Sequence, residues 1–513
     1  MSFFEYALSE PDRPAIVGSD RSISFSELDA HASRMAALLD DFGVGAGDSV
    51  AVLLPNEWEY IAIELACLST GRYIVPVNRY LTSPEIAYIL GNCTPSVLFT
   101  NEKMLPTALD AAAQSGVLSA DRVLATGGGS AHDITEQWSK QSADRPVNRT
   151  AGSVMFYSSG TTGKPKGIKR ALSGVAPEIE AAAGRESLAL LNLQDGPGVH
   201  LVIAPLYHSA PNAMAIAALN RGVTLAIPQL GSFDAETFLQ NAAHFGMTES
   251  FMVPTMFQRL ARLPEDIKNK YDVSAIINVI HAGAPCPVPV KHAMIQWWGP
   301  VLEEFYGSTE SSIATIVHSD EWLQAPGTVG RARPGYEIQI RAADGSIQAP
   351  GQEGLIFCGG SLPFEYVADP DKTAATWDAN YLIIGDVGVL DDEGRLFVLD
   401  RRTDMILSGG VNIYPAEIEF TLVDHPDIID AVVIGVPNEE WGQLVTAIVQ
   451  PAEGVDRTRL SDSLLKFCEG RLAKYKRPST IEIVDELPRM ATGKINRSKI
   501  RNAYLADGAP ASR

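Results

Sequence analysis

Between residues 49 and 100 the chain repeats one pattern: a short apolar run, a helical stretch, another apolar run. SVAVLL (49–54) breaks at Pro55, NEWEYIAIELACLSTG runs to Gly71, Tyr73 to Val77 is again apolar, and SVLFT (96–100) closes the series. Strands that are apolar throughout, with helices between them, imply a parallel sheet covered on both faces. Ser26 is the expected N-cap of the preceding helix, SELDAHASRMAALLDDFG, with Leu28, Met35, Leu38 and Leu39 near helical spacing and Gly43 as its stop. Ser83 is the expected cap of SPEIAYIL, with Pro84 at the first helical position.

The pattern weakens from 102 to 150, where Gly127-Gly128-Gly129 reads as a surface loop. Alternation returns with HLVIAP (200–205) and VTLAIP (223–228), so the expected fold class is α/β. After about 330 the texture becomes short strands with Gly and Pro turns, a small β-rich subdomain reaching about 400. The last hundred residues are α+β in pattern: PAEIEFTLVDHP as a helix, IIDAVVIGVP and LVTAIVQP as strands, and RLSDSLLKFCEGRLAKY as an amphipathic helix. No internal repeat or heptad pattern is visible.

Charge narrows the function. A net charge of −21 over 513 residues repels phosphate backbones and anionic membranes, which counts against a nucleic-acid partner. No run of about 18 apolar residues is present, so no integral membrane segment is expected. The N-terminus lacks a basic stretch followed by an apolar block, so no secretory signal is readable. The five cysteines are scattered and never spaced as CxxC, which suits reduced thiols of a cytoplasmic protein. Residues 471–513 hold ten basic and four acidic residues, a net of +6, leaving −27 on the rest. That fits either a solvated tail or a positive lid that meets a polyanionic ligand.

The most informative stretch is VMFYSSGTTGKPKG (154–167). An apolar strand runs into small hydroxyl and glycine residues, then two lysines around a proline. Glycines let the backbone approach a phosphate, exposed N–H groups form an anion nest, and hydroxyls and ammonium groups add donors. Pro165 follows Lys164, so this is not a Walker A loop. A flexible surface loop is the plain alternative for such a composition.

SSGTTGKPKG (158–167) resembles the phosphate-loop signature of the adenylate-forming superfamily: acyl-CoA synthetases, the adenylation domains of peptide synthetases, and luciferases. Further matches follow in the family's order. PLYHS (205–209) resembles the motif lining the acyl pocket, and YGSTE (306–310) the Y-G-x-T-E motif. YLIIGD (381–386) with DRRTD (400–404) resembles the ribose-binding pair and interdomain hinge. SGGVNIYPAEI (408–418) resembles the loop that helps form the thiol channel, and RMATGKI (489–495) the C-terminal lysine motif. Together these identify the chain as a member of that superfamily.

The resemblance implies a large N-terminal AMP-binding domain, residues 1–402, a hinge near Thr403, and a small mobile C-terminal lid, 404–513. It implies ATP, Mg²⁺ and CoA as cofactors and assigns the site residues. Ser158, Ser159, Gly160, Thr161, Thr162, Gly163, Lys164 and Lys166 form the phosphate grip, with Thr161, Thr162 and Lys166 on the β and γ phosphates. Tyr306 and Gly307 lie along the adenine, Thr309 binds the α-phosphate, and Glu310 binds the metal, a hard cation that prefers oxygen ligands. Asp386 accepts from the ribose hydroxyls beside Arg401, and Lys494 reaches the developing oxyanion. His208, Gly283 and Ala284 border the acyl pocket, His208 as a positioning residue without metal, and Ser408, Gly409 and Gly410 face CoA. Taken alone, Tyr306 reads as a core tyrosine, Glu310 as a loop acid, Asp386 as a turn residue and Lys494 as a solvated lysine.

Departures from the family pattern are Asp400, where glycine is usual, and Thr403, where Asp or Lys is usual. Glu304 and Phe305 occupy family-variable positions. The expected reaction is ATP-dependent activation of a carboxylic acid, then transfer to CoA. Small apolar residues after His208 and around Gly283, without Arg or Lys, favour a bulky or long hydrophobic acid. HSAPNAM and WWGPVLEEFYGSTES look most like bacterial fatty-acid and bile-acid or steroid-type CoA ligases. Two other readings stand beside this one. One is a stand-alone adenylation enzyme serving a carrier protein. The other is a nucleotide-binding protein that has lost catalysis, which Lys166, Glu310, Asp386 and Lys494 together disfavour. Whether the chain is a homo-oligomer stays open.

Overall fold

The helix read at 26–43 shows how local chemistry sets an element's bounds. It spans Phe25–Asp41, and its cap is Ser24 rather than Ser26. Ser24 Oγ accepts from the Glu27 N–H at 3.2 Å while Glu27 Oε2 accepts from the Ser24 N–H at 2.8 Å. This Ser-x-x-Glu box satisfies two helix-end donors, whereas Ser26 Oγ donates to the Pro11 carbonyl. The helix Ser83–Cys93 repeats the lesson: Thr82 is its cap, in a box with Glu85, Ser83 is its first residue and Pro84 its second. Both expected caps were displaced by a capping box that begins earlier in the chain.

The computed structural model describes residues 1–19, 21–158, 165–229, 231, 233–402, 404–408, 411–438, 441–489, 495 and 497–506. They divide into two compact units, one of residues 1–326, 332–336 and 360–382, the other of 327–331, 337–359 and 383 onward.

The first unit holds two main sheets. One is wholly parallel, in the spatial order Val123–Thr126, Val97–Asn101, Ser49–Leu53, Tyr73–Pro76, Ser153–Val154. Val50 and Val52 pack into one apolar cluster and Ala51 and Leu53 into another, so both faces are covered, as the unbroken apolar runs predict. The segment 102–150 contributes more order than its pattern suggested: a helix Leu105–Ser115 and the edge strand Val123–Thr126. Gly127, Gly128 and Gly129 do form an exposed turn, all with positive φ.

The second sheet includes, in spatial order, Ser312–His318, Leu302–Ser308, Asn278–His281, Glu249–Met252, Val199–Leu201, Thr224–Ile227, Pro14–Gly18 and Ser22–Ser24. Neighbours from Leu302–Ser308 to Pro14–Gly18 are all parallel, while Ser312–His318 with Leu302–Ser308 and Pro14–Gly18 with Ser22–Ser24 pair antiparallel. Phe251 and Ile280 face one apolar cluster, Met252 and Val279 another. A third, antiparallel sheet joins Phe156–Ser158, Lys166–Lys169 and Glu365–Tyr366.

In the second unit, Glu337–Arg341 pairs with Gly354–Gly359, and Tyr381–Leu390 with Leu396–Arg401, all antiparallel. Then follow the hairpin Ile406–Ser408 and Val411–Ile413, the helix Pro415–Val423, and a long hairpin of Ile428–Asn438 and Gly442–Pro451. The strand Thr480–Ile483 adds to it in parallel, and the helix Leu460–Cys468 covers one face. No helix among the described residues is long and apolar enough to cross a membrane.

Candidate active site

Ser158 and Lys166 oppose each other at the open end of the hairpin that bounds the phosphate-loop motif. Gly167, beside Lys166, has no room for a side chain: a Cβ would stand 2.8 Å from the Tyr157 ring and 3.0 Å from Val367 Cγ2. The third strand brings Tyr366 opposite Ile168. The Lys166 ammonium lies 5.3 Å from the centroid of the Tyr366 ring, a cation–π approach. Partial burial, with Lys372 nearby, holds the Lys166 pKa below the ordinary lysine value.

A second hairpin supplies the acid. Leu302–Ser308 and Ser312–His318 are joined by Thr309, Glu310 and Ser311, and the ladder shifts register after Tyr306. Gly307 is obligatory there, because a Cβ would lie 1.8 Å from the Ser312 carbonyl oxygen. Glu310 Oε1 accepts from the Tyr366 phenol at 3.0 Å and from Ser158 Oγ at 3.4 Å. Among the described residues both of these donors go to Oε1. Burial first, and the Glu310 charge second, push the Tyr366 phenol above its ordinary pKa, so it stays protonated and donates. Thr309 Oγ1 lies 3.2 Å from Ser209 Oγ, and Arg170 Nη2 donates to the Thr309 and Glu310 carbonyls at 2.8 and 2.9 Å. Tyr306 is half-buried opposite Thr315.

These contacts join Ser158, Lys166, Thr309 and Glu310, four of the residues singled out in the sequence, from two hairpins remote along the chain. One carboxylate among neutral oxygens suits Mg²⁺, which keeps much of its water and shares phosphate oxygens rather than needing an all-protein cage. No group of three or more His, Cys, Asp or Glu among the described residues could hold a metal by itself.

His208 is half-buried at the N-cap of the helix Ser209–Leu219, its ring 4.5 Å from that of Tyr207. The loop before it is pinned. Asn56 Nδ2 donates to the Ala204 carbonyl, Asn56 Oδ1 accepts from Leu206 N–H, and Tyr60 donates to the Leu206 carbonyl. Gly283, exposed with φ +85°, and half-buried Ala284 follow the strand Asn278–His281, which pairs in parallel with the strand bearing Tyr306. Glu304 is held in a buried pair with Lys291 at 2.5 Å, and Phe305, its strand neighbour, packs among Phe251, Ile280 and Ile316.

In the second unit Asp386 pairs in register with Arg401, its Oδ1 3.6 Å from Arg401 Nε; the carboxylate is largely buried and the guanidinium exposed. Asp400 accepts from Arg401 N–H at 2.7 Å and, through Oδ2, from the Ala416 N–H at 3.0 Å. Its departure from glycine therefore places a carboxylate on the first turn of the helix Pro415–Val423, where an anion is favoured. Ser408 ends its strand half-buried. Ser159, Gly160, Thr161, Thr162, Gly163, Lys164, Thr403, Gly409, Gly410 and Lys494 lie outside the described residues.

Tyr366, Arg170 and Ser209 escaped the sequence reading. Ser209 closes the PLYHS motif but was given no role of its own, and nothing in the local sequence marks Tyr366 or Arg170.

The AMP-binding enzyme family matches residues 3–365, and the AMP-binding enzyme C-terminal domain matches 417–494. The long-chain-fatty-acid–CoA ligase FadD13 of Mycobacterium tuberculosis is 30% identical over 503 residues, 95% of this chain and 94% of that one. The fatty acid–[acyl-carrier-protein] ligase ScoC of Streptomyces coeruleorubidus is 30% identical over 516 residues, 98% and 96% of the two chains. The o-succinylbenzoate CoA synthetase MenE of Bacillus subtilis, solved with its acyl-adenylate intermediate, superposes with a TM-score of 0.79 at 27% identity, covering 97% of each chain. The chain belongs to the AMP-binding enzyme family, in the acyl-CoA synthetase branch of the adenylate-forming superfamily. It is an AMP-forming acid–thiol ligase.

Proposed function

We propose that the chain activates a hydrophobic carboxylic acid and transfers it to CoA. The observation that carries this reading is Glu310, held by the Tyr366 phenol and Ser158 hydroxyl beside the Lys166 ammonium. An oriented carboxylate and an ammonium converge where the phosphate-loop hairpin opens.

In the first step a carboxylate oxygen of the acid attacks the α-phosphorus of ATP. The bond to the bridging oxygen breaks, giving acyl-adenylate and pyrophosphate. Lys166, with Thr161 and Thr162, holds the departing β and γ phosphates, and Thr309 donates to the α-phosphate. Glu310 would hold Mg²⁺, which when bound would supply positive charge against the phosphates. Tyr306 and Gly307 lie along the adenine, Asp386 receives the ribose hydroxyls, and Lys494 stabilises the charge developing on the α-phosphate. In the second step the CoA sulfur attacks the acyl carbonyl and AMP leaves with the electron pair of the anhydride bond. Domains 1–402 and 404–513 turn about Thr403 between the steps, bringing Ser408, Gly409 and Gly410 to CoA.

Support for a hydrophobic acid comes from the apolar cluster that joins Ala282, next to Gly283, and Met214, in the helix capped by His208, with Phe251, Ile280 and Phe305. All five cysteines are free thiols, which suits a reducing cytoplasm. A second acceptor is kept because ScoC, by its name, serves an acyl-carrier protein. One assay separates the two: purified protein with ATP, Mg²⁺, a panel of acids and either CoA or a phosphopantetheinylated carrier protein, with products read by mass. Acyl-CoA from long or bulky acids is expected. Acyl transfer to the carrier alone would replace the CoA reading, and preference for acetate or a dicarboxylate would overturn the substrate class.

A further inference from the structure

Arg170 stands one residue past the strand Lys166–Lys169, and its half-buried guanidinium reaches two main-chain oxygens. Nη2 donates to the Thr309 carbonyl at 2.8 Å and to the Glu310 carbonyl at 2.9 Å. Both carbonyls belong to the turn between Leu302–Ser308 and Ser312–His318, where no strand neighbour can take them. A turn with loose carbonyls can rotate its peptide planes, and each rotation re-aims the side chains attached to it.

The side chains concerned are the two the reaction depends on. Thr309 Oγ1 is met by Ser209, and Glu310 Oε1 by Tyr366 and Ser158. Those neutral donors fix the tips; Arg170 fixes the backbone from which they project. A guanidinium suits this task, since its planar donors are preorganised and its charge strengthens hydrogen bonds to carbonyl dipoles.

We propose that Arg170 is a positioning residue for adenylation, acting through Thr309 and Glu310 on the α-phosphate and its cation. The proposal rests on Glu310 being the cation ligand. Calorimetry of ATP binding without acid, with and without Mg²⁺, reads this apart from turnover. Arg170→Met is expected to lose most of the Mg²⁺-dependent gain in ATP affinity while metal-free ATP binds within about twofold of wild type. Single-turnover adenylation should fall about 10–100-fold, the range for a lost hydrogen bond to a charged group. Conversion of supplied acyl-adenylate to acyl-CoA should change less than threefold, about the scatter of a neutral surface substitution. Arg170→Lys should recover part of the loss.

The double variant Arg170→Met with Glu310→Gln should be no worse than Glu310→Gln alone, because the two act on one contact. Additive losses, or an intact Mg²⁺ gain in folded Arg170→Met, overturn the proposal. If Glu310→Gln itself leaves the Mg²⁺ gain intact, the cation-ligand reading fails instead. Should Arg170→Met not fold, Arg170→Lys takes its place in the cycle with the same criterion.

Discussion

Two glutamates stand at opposite ends of the second sheet of the first unit, and the fold treats them in opposite ways. Glu249 opens the strand Glu249–Met252. Arg221 reaches its two oxygens at 2.5 and 3.0 Å, and His200 Nδ1 lies 3.0 Å from Oε1. Burial alone would raise its pKa, but His200 and Arg221 outweigh it and hold the carboxyl at about 2. Glu310 sits in the turn beyond the other end, held by a phenol and a hydroxyl. Neutral donors orient a carboxylate without cancelling its charge. Where charge is structural the fold saturates it with partners; at Glu310, the proposed cation ligand, neutral donors only aim it.

The contrast can be broken from the Glu249 side, where the largest effect is expected. Glu249→Gln leaves the buried Arg221 guanidinium without its counter-charge, and breaking a buried pair in this way costs about 3–5 kcal/mol. Stability at pH 7 should fall by that amount, with kcat per folded molecule unchanged. Since the folded pKa of about 2 lies below the ordinary 4.5, this stabilisation is complete above 4.5 and is lost as pH falls toward 2. Chemical unfolding at pH 7 and pH 3 checks this: the deficit must shrink in acid. A constant deficit, or a loss of specific activity, would erase the distinction between the two glutamates.

The next effect, about 2.7–4 kcal/mol on a rate, tests the catalytic side. A preorganised ammonium stabilises charge on the α-phosphate more in the transition state than before it. Lys494→Ala should therefore slow acyl-adenylate formation about 10²–10³-fold, while supplied acyl-adenylate still becomes acyl-CoA at near wild-type rate. Single-turnover measurement of each half-reaction, with an unchanged melting temperature, gives the answer. Equal loss of both steps would remove Lys494 from its assigned role.

What was legible in the sequence follows the same division. The parallel sheets were readable because an apolar run has one way to be covered; Gly307 and Lys166 were singled out by resemblance to family motifs, and the close approach of Gly307 to the Ser312 carbonyl was not read from the sequence. Ser24 and Thr82 were missed as caps because a nearer serine looked sufficient and the glutamate three residues on was not weighed. Tyr366 and Arg170 were invisible for a deeper reason. Tyr366 reaches Glu310 only because Tyr366 pairs with Ile168, nearly two hundred residues earlier. Arg170 reaches two carbonyls of a turn more than a hundred residues away. Contacts set by strand pairing across such separations leave no local signature.

Asp400 supplies the smallest effect and a third case for the comparison. It is a buried carboxylate given hydrogen-bond donors but too little positive charge. Its oxygens take the Arg401 and Ala416 N–H groups, Arg497 attracts it and Glu419 opposes it, and burial wins, raising its pKa to about 6. For an acid raised above its ordinary 3.8, the folded state favours the protonated form. The associated stability is therefore complete below 3.8 and is lost as pH climbs through about 6. Asp400→Asn mimics the protonated side chain at every pH. Two pKa steps are worth nearly 3 kcal/mol, and one hydrogen bond compromised by the amide returns about 1, so the variant should be more stable than wild type at pH 7.5 by about 1–2 kcal/mol. Near pH 4 the advantage should vanish or reverse by the lost bond. Thermal unfolding of both proteins across that range measures it. An Asn variant less stable than wild type at pH 7.5 would mean that the Asp400 charge is held by the helix Pro415–Val423 and Arg497 strongly enough to offset its burial. Asp400 would then belong with Glu249, among the charges the fold has neutralised.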